Sequence, residues 1–330
     1  MRLLDIIIPQ YSESEGIVER LLRSINNQKD VDFTSIGILI VNDCSNNQIT
    51  TKITSKFPKL NIELLRTPIN VGPGLTRQYG IDHSSAQYIT FIDADDVYYS
   101  SSCLQQVVPL LLNNNYDIIL TKWMEEFKTH QGSKDIVHTS DIIYLHGKFI
   151  KRQYLIDNDF KFSEKLRLHE DSYFCTNLLL NSKNIFYLDV ITNYWKNNNN
   201  SLVRKKTKHH YLVNTFEYLL TSNQELIDQL TKRNNPLKDE YTVKAIVNLY
   251  CILASSLFND KTLQSNKKTF EKKFFTFLQE NLESFENVGQ ENSNKYMLEQ
   301  INIFKKTNTP ASIIEDWNTF ITRLFSEYDE

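Results

Sequence analysis

The chain has 330 residues, 41% of them hydrophobic and 23% charged, with a formal net charge of −3. That length exceeds a typical single domain and that composition suffices for a real core, so one larger α/β domain with an appended piece is expected. The small charge gives no general electrostatic reason to expect a nucleic-acid partner. The four cysteines (Cys44, Cys103, Cys175, Cys251) form no C-x-x-C pair, which signals neither a zinc site nor a disulfide framework and fits a reducing, cytoplasmic setting.

Up to about residue 205, short β-rich runs alternate with helix-period segments, the pattern of βαβ units and a mainly parallel sheet. The first run, Leu3 to Pro9, is interrupted by Asp5 and is too short for a signal h-region. No segment approaches the ~20 apolar residues of a membrane span. Gly16 to Asn26 carries Ile17, Val18, Leu21, Leu22 and Ile25 at helical spacing. Gly37 to Val41 is the second strand, Gln48 to Phe57 a weaker helix, and Ile62 to Leu65 a third strand. Pro73 to His83 is helical with a Gly-rich entry, Tyr88 to Ile92 is a central strand, and Ser101 to Asn113 is a helix. Ile118 to Thr121 reads as a strand, and residues 122–145 as an antiparallel hairpin or an acceptor-side insertion. Tyr173 to Leu180 is an apolar helix.

Beyond residue 205 the pattern is almost purely helical, with apolar stripes over Tyr211 to Leu230, Tyr241 to Phe258 and Phe270 to Phe285. A last helix is expected to start at Thr309-Pro310, an N-cap followed by Pro at the first helical position. It runs through Ile313, Ile314, Trp317, Phe320, Ile321 and Leu324. The aromatic stripes suit core packing better than a carbohydrate platform. Acceptor binding, homo-oligomerisation and partner docking are all open to this helical part. The basic run Lys205 to His210 offers at most a weak peripheral contact with the inner face of a membrane.

The stretch Gln87-Tyr-Ile-Thr-Phe-Ile-Asp-Ala-Asp-Asp96 carries the strongest chemical signal. A strand buried on both faces ends abruptly in Asp93, Asp95 and Asp96, at the strand end where open α/β sheets place their ligands. Three carboxylates this close repel one another unless a cation neutralises them, and a hard divalent ion that also grips phosphate oxygens is the usual solution. A helix N-terminus that favours Asp is the plainer alternative. After the first strand come Pro9, Tyr11, Glu13 and Glu15; after the second come Asn42, Asp43, Cys44 and Ser45. Tyr11 suits stacking on a flat base, and Asp43 suits a ring N–H. Arg77, in a Gly-rich segment, suits a phosphate or a uracil carbonyl. Adjacent Glu170 and Asp171 at a helix start either complement its dipole or supply a general base, with His169 nearby to tune it.

In order and spacing these motifs resemble the bacterial family-2 glycosyltransferases of GT-A fold, over about residues 3–204. Ile8-Pro-Gln-Tyr-Ser-Glu-Ser-Glu15 is similar to the family's Pro-x-Tyr-Asn-Glu-x-Glu, and Ser24-Ile-Asn-Asn-Gln28 to its Ser-Leu-x-x-Gln. Val41-Asn-Asp-Cys-Ser45 resembles Val-Asp-Asp-Gly-Ser. Asn70 to Gly80 resembles Asn-x-Gly-x-x-x-Ala-Arg-Asn-x-Gly. Asp93-Ala-Asp-Asp96 matches the metal motif and His169-Glu-Asp171 the Glu-Asp element. Ser12, Asn42, Cys44, Thr76 and Gln78 depart from the family pattern, but the key carboxylates remain.

The resemblance implies a GT-A catalytic domain over residues 1–204 and a helical domain over 205–330. It further implies that Asp43 recognises the base, Pro9 and Tyr11 line its pocket with Glu13 at the same strand end, and Arg77 supports it. Asp93 lies near the ribose, and Asp95 binds Mn²⁺ or Mg²⁺ with Asp93 and Asp96 close by. Asp171 is the base and Glu170 the second choice. Tyr194-Trp-Lys196 through Ser201-Leu-Val-Arg204 resembles the family's Tyr-x-Arg segment, with Lys196 and Arg204 as diphosphate cations. His209 or His210 could complete the metal shell, although an exposed basic run is the plainer reading. The expected activity is inverting transfer of a sugar from a nucleotide-sugar, most simply a UDP-sugar, to a glycan, glycoprotein or cell-wall polymer. A nucleotidylyltransferase should instead carry a basic Gly-rich loop after the first strand, where this chain has glutamates. A noncatalytic interaction protein has no need of intact carboxylates.

Overall fold

A computed structural model describes residues 2–47, 49–113, 115–129, 132–139, 143–197, 208–254, 264–307 and 315–329. The chain divides into two compact units, Met1–Arg204 and Lys205–Glu330.

The first unit opens with β1 (Leu4–Gln10), α1 (Glu15–Asn26), β2 (Ile36–Asn42), the single turn α2 (Thr51–Thr54) and β3 (Asn61–Arg66). Next come α3 (Pro73–His83), β4 (Tyr88–Phe91), the two-residue β5 (Val97–Tyr98) and α4 (Cys103–Asn113). It closes with β6 (Ile118–Thr129), β7 (Gly132–His138), β8 (Lys148–Lys151), α5 (Arg152–Asp157), α6 (Glu170–Asn181) and β9 (Ile185–Trp195). These strands form one sheet in the order β3-β2-β1-β4-β8-β6-β9-β5, with β7 hydrogen-bonded to β6. The sheet is mixed. The pairs β3/β2, β2/β1, β1/β4 and β6/β9 run parallel, whereas β4/β8, β8/β6, β6/β7 and β9/β5 run antiparallel.

The parallel half builds the core. β2 and β4 are buried along their whole length, as expected of strands covered on both faces. The helical stripe of α1 packs Val18, Leu21, Leu22 and Ile25 against Ile6, Ile8, Ile38 and Ile40. Each such aliphatic side chain contributes about 1.5–3 kcal/mol by leaving water. The helix expected over 48–57 shrinks to the single turn Thr51–Thr54. β6 runs well past Thr121 and pairs with β7, so the stretch after 122 is the hairpin of the two readings. Its register against β9 shifts between Thr121 and Trp123, the kind of irregularity that bends a strand and re-aims its side chains.

The second unit contains α7 (Lys208–Lys232), α8 (Lys238–Leu253), α9 (Gln264–Glu280), α10 (Glu283–Val288), α11 (Gln290–Thr307) and α12 (Trp317–Tyr328). The helix expected over 270–285 is therefore two, α9 and α10. Phe216, Tyr250, Phe270, Phe274, Phe275, Phe277 and Phe320 are buried together, so the aromatic stripes are core. Thr309-Pro310, Ile313 and Ile314 lie outside the described residues. α12 starts instead at a cap formed by Asp316, which accepts from the Asn318 and Thr319 N–H groups at 3.0 and 3.2 Å. Among the described residues, no helix is long and apolar enough to cross a membrane.

Candidate active site

The acidic turn Asp93–Asp96 leaves the carboxyl end of β4, and α1 holds it in place. Arg20 donates to the Asp95 carbonyl, and Ser24 Oγ accepts from the Tyr98 N–H at 3.1 Å. Gln28 donates to the Ser100 carbonyl at 2.7 Å and accepts from the Leu104 N–H at 3.0 Å. The Ser24–Gln28 motif is thus a clamp that fixes where the turn re-enters β5 and α4. Nothing in its sequence announces that work.

On the other side of the turn stands α3, seated on β1 by glycine. A Cβ at Gly80 would lie 2.5 Å from Ile7 Cγ2, and one at Gly74 would lie 2.8 Å from Glu170 Cγ, so both contacts need hydrogen there. Seated in this way, α3 presents the buried guanidinium of Arg77 to both acidic motifs. Its Nη2 lies 2.7 Å from Asp93 Oδ1 and its Nη1 3.0 Å from Glu170 Oε1. The two motifs, far apart in sequence, meet through one cation.

The electrostatics follow from this geometry. Burial opposes the charge on Arg77, but Asp93, Glu170 and Asp171 outweigh it and hold the guanidinium above its ordinary range. Burial raises Asp93, and Arg77 then His146 more than reverse that, leaving it below the usual carboxylate range. Glu170 is pushed up to about 7 by burial and by the charge of Asp171, against the pull of Arg77. Burial also raises Asp171, with Arg77 opposing, and holds His169 down to about 4, so its imidazole is neutral at pH 7. Burial and the charges of Asp93 and Asp95 push Asp96 well up, and Glu13 is raised by burial with Asp95 and Asp93 adding to it.

Glu170 makes a pH prediction. Its proton is held more tightly in the folded chain than at the ordinary 4.5, so its share of stability is full below pH 4.5 and is lost as pH rises to about 7. Urea midpoints of Glu170→Gln are therefore expected to fall less steeply across that window than those of the parent chain. Parallel slopes would show that Glu170 does not titrate there.

Asp43, buried at the end of β2, has both carboxylate oxygens engaged by residues 67–72. Oδ1 accepts from Thr67 Oγ1 at 3.1 Å and the Val71 N–H at 2.8 Å, and Oδ2 from Asn70 Nδ2 and the Gly72 N–H, each at 2.9 Å. Asp43 thus builds the wall that leads into α3, and any base contact must share a carboxylate already holding that loop. Asn42, where the family has Asp, donates to Gln10 Oε1 while its own oxygen accepts from Arg66 at 2.8 Å and from the Ser45 N–H at 2.9 Å. A carboxylate there would lack the donor. Pro9 is half-buried at the end of β1, and Tyr11 is 52% exposed beyond it. The Tyr11 N–H donates to Glu13 Oε2 at 2.8 Å.

Asp96 Oδ1 accepts from the Lys196 N–H at 2.9 Å, while Oδ2 is buried without a hydrogen-bond partner, 4.0 Å from His146 Nδ1. The Lys196 ammonium lies 3.3 Å from Glu126 and 4.1 Å from the centre of the Tyr194 ring. Arg204 and the side chains of His209 and His210 lie outside the described residues. His146 carried no signal in the sequence: it follows a hairpin and reaches the acidic turn only through tertiary pairing. An oxygen-only set with an unsatisfied buried carboxylate oxygen fits Mn²⁺ or Mg²⁺. Among the described residues, no three His, Cys, Asp or Glu are arranged to hold a metal by themselves. Such ions are commonly held by one or two carboxylates, with phosphate oxygens and water completing the shell.

A mixed sheet with flanking helices and an acidic turn at a central strand end defines a GT-A fold. The model of glycosyl transferase family 2 matches residues 5–166, all within the first unit. The chain is 28% identical to the poly(ribitol-phosphate) beta-N-acetylglucosaminyltransferase TarS of Staphylococcus aureus over 207 residues, 59% of this chain and 35% of TarS. It thus spans about a third of that relative. It is 24% identical to TarP, of the same description and species, over 265 residues, covering 74% of this chain and 80% of TarP. Residues 1–349 of S. aureus TarS in complex with UDP-GlcNAc superpose with a TM-score of 0.63 at 18% identity, covering 93% of this chain and 91% of that one. The mannosyltransferase PcManGT from Pyrobaculum calidifontis, in complex with GDP-Man and Mn²⁺, gives 0.53 at 13% identity, covering 93% and 87%. At these identities the structural likeness is one of fold.

Proposed function

We propose that this chain is a metal-dependent inverting glycosyltransferase. It moves a hexosyl or N-acetylhexosaminyl group from a UDP-sugar, or another nucleotide-sugar, to a hydroxyl of a glycan, glycoprotein or cell-wall polymer. The observation that carries this reading is the Arg77 bridge, which brings the Asp93 turn and the Glu170–Asp171 helix start into one buried constellation.

In this reading Pro9, Tyr11, Glu13 and Asp43 line the base end of the donor site, with Arg77 behind them. Asp93 and Asp95 would hold the cation, with Asp96 beside them; a bound Mn²⁺ or Mg²⁺ would neutralise the departing diphosphate. Lys196 and Arg204 are the proposed cations over the diphosphate. Asp171 takes the proton of the acceptor hydroxyl while that oxygen attacks the anomeric carbon from the face opposite the nucleotide. The bond to the diphosphate oxygen breaks as the new glycosidic bond forms, and the anomeric configuration inverts. Glu170, buried and tied to Arg77, is a positioning residue rather than a second base. Met1–Arg204 is then the catalytic unit. The helical unit is left for acceptor binding, self-association or docking, with the 205–210 run as its membrane-facing candidate.

Calorimetry with UDP and UDP-GlcNAc, with and without Mn²⁺, tests the donor half of this reading. Asp95→Ala is expected to weaken UDP binding about tenfold or more in Mn²⁺ and to leave the weak metal-free binding unchanged. Equal parental affinity with and without metal would remove the cation from the scheme.

A further inference from the structure

Aromatic side chains from β6, β7 and β9, joined by Tyr144 and His146, form a cluster that the donor site does not use. His146 ties it to the acidic turn: its Nδ1 is 4.0 Å from Asp96, and its ring lies 4.9 Å from Trp123 and 5.7 Å from Trp195. Trp123 is buried and stacked on His138, with centroids 3.8 Å apart and planes within 5°, so the pair forms a floor. Tyr144, 36% exposed, lies 5.3 Å from Trp123 and 6.0 Å from Trp195, which is itself partly exposed. Two rings therefore reach solvent at the lip of an aromatic floor that abuts Asp96.

Among the described residues, the charged groups at this cluster are carboxylates, the Lys196 ammonium engaged with one of them, and the buried Lys148 ammonium, which donates to the Tyr144 carbonyl. Glu125 lies 2.9 Å from His138 Nε2, Glu126 lies 3.3 Å from the Lys196 ammonium, and Asp135 accepts from the Tyr194 hydroxyl at 2.8 Å. Such a rim repels a polyanion. An uncharged pyranose offers it a C–H face for the rings and hydroxyl donors for the carboxylates, the mix of aromatic lining and a few placed polar groups that small-molecule sites use.

Resting on the glycosyltransferase reading above, we propose that Tyr144, His146 and Trp195 form the acceptor subsite, and that it takes a neutral pyranose ring. A polyol phosphate chain, the substrate named for TarS and TarP, is the wrong charge for it. The acidic rim thus separates this chain from those relatives by acceptor.

Saturation-transfer NMR on the full chain with UDP and Mn²⁺ tests this. The probes are methyl β-glucoside, methyl β-galactoside, methyl β-N-acetylglucosaminide and ribitol 5-phosphate, each added alone. At least one glycoside is expected to receive saturation on its ring C–H protons, and ribitol 5-phosphate none. Combining Tyr144→Ala with Trp195→Ala should weaken that glycoside about tenfold, while Tyr144→Phe with Trp195→Phe, which keeps the rings, should retain it. If melting shows that the double alanine variant is unfolded, Tyr144→Ala alone is the reading, since that ring is exposed. The proposal is overturned if no glycoside binds, if glycoside binding survives loss of both rings, or if ribitol 5-phosphate binds instead. UDP affinity, read separately by calorimetry, should not move between variants; a parent chain that binds no UDP would strike the donor assignment and not the subsite.

Discussion

Asp171→Asn is expected to lower sugar transfer by a factor of about 10²–10⁴, the usual worth of a positioned general base, with UDP-sugar affinity unchanged. The reasoning starts from the local backbone. His169 takes a left-handed conformation, φ 61°, and this turns the chain so that Glu170 and Asp171 open α6 side by side. Glu170 goes inward, to Arg77 and the face of Gly74. Asp171 keeps some exposure, and its Oδ1 accepts from the Ser172 N–H at 2.7 Å. An asparagine oxygen can accept that same hydrogen bond, so the helix start survives and only proton transfer is lost. Single-turnover transfer from UDP-GlcNAc to the best acceptor glycoside, alongside calorimetry of the donor, separates the two effects. Turnover near the parental rate would move the base to another group.

Arg77→Met is expected to destabilise the first unit by about 3–5 kcal/mol, because it strands buried carboxylates without their counter-charge. Asp93 and Glu170 both lean on this guanidinium, and Gly74 and Gly80 hold α3 so close that little can move in to replace it. Denaturant unfolding measures the loss. Adding Glu170→Gln to Arg77→Met should restore part of it, since one of the stranded charges is then gone; strictly additive losses would mean the pair is not coupled.

Much of the first unit was legible in its periodicity. The strands from Leu4, Ile36, Asn61 and Tyr88 and the helix Pro73–His83 follow from short apolar runs and Gly-Pro punctuation. The acidic residues were legible too, because carboxylates at a strand end are rare without cause. Pairing over long sequence distances was not. That Arg77 would bridge Asp93 to Glu170 depends on α3 settling onto β1, which no local pattern encodes. The stretch after residue 122 read as a hairpin or an insertion, and the aromatic cluster around Trp123 and His146 emerges only once β6, β7 and β9 are in register. Asp43 was legible as a polar strand end, but its hold on residues 67–72 depends on how that loop returns. The tail after residue 205 showed its helices and its aromatic core, while the break between α9 and α10 left no mark beyond Asn281.

The close seating of α3 has a practical side for anyone re-engineering the protein. Residues 70–80 are a poor target for library diversification, since almost any larger side chain at Gly74 or Gly80 collides with Glu170 or Ile7. The hairpin beyond Lys122 and the exposed ring of Tyr144 are the better ground, because variation there leaves the arginine-centred hub whole.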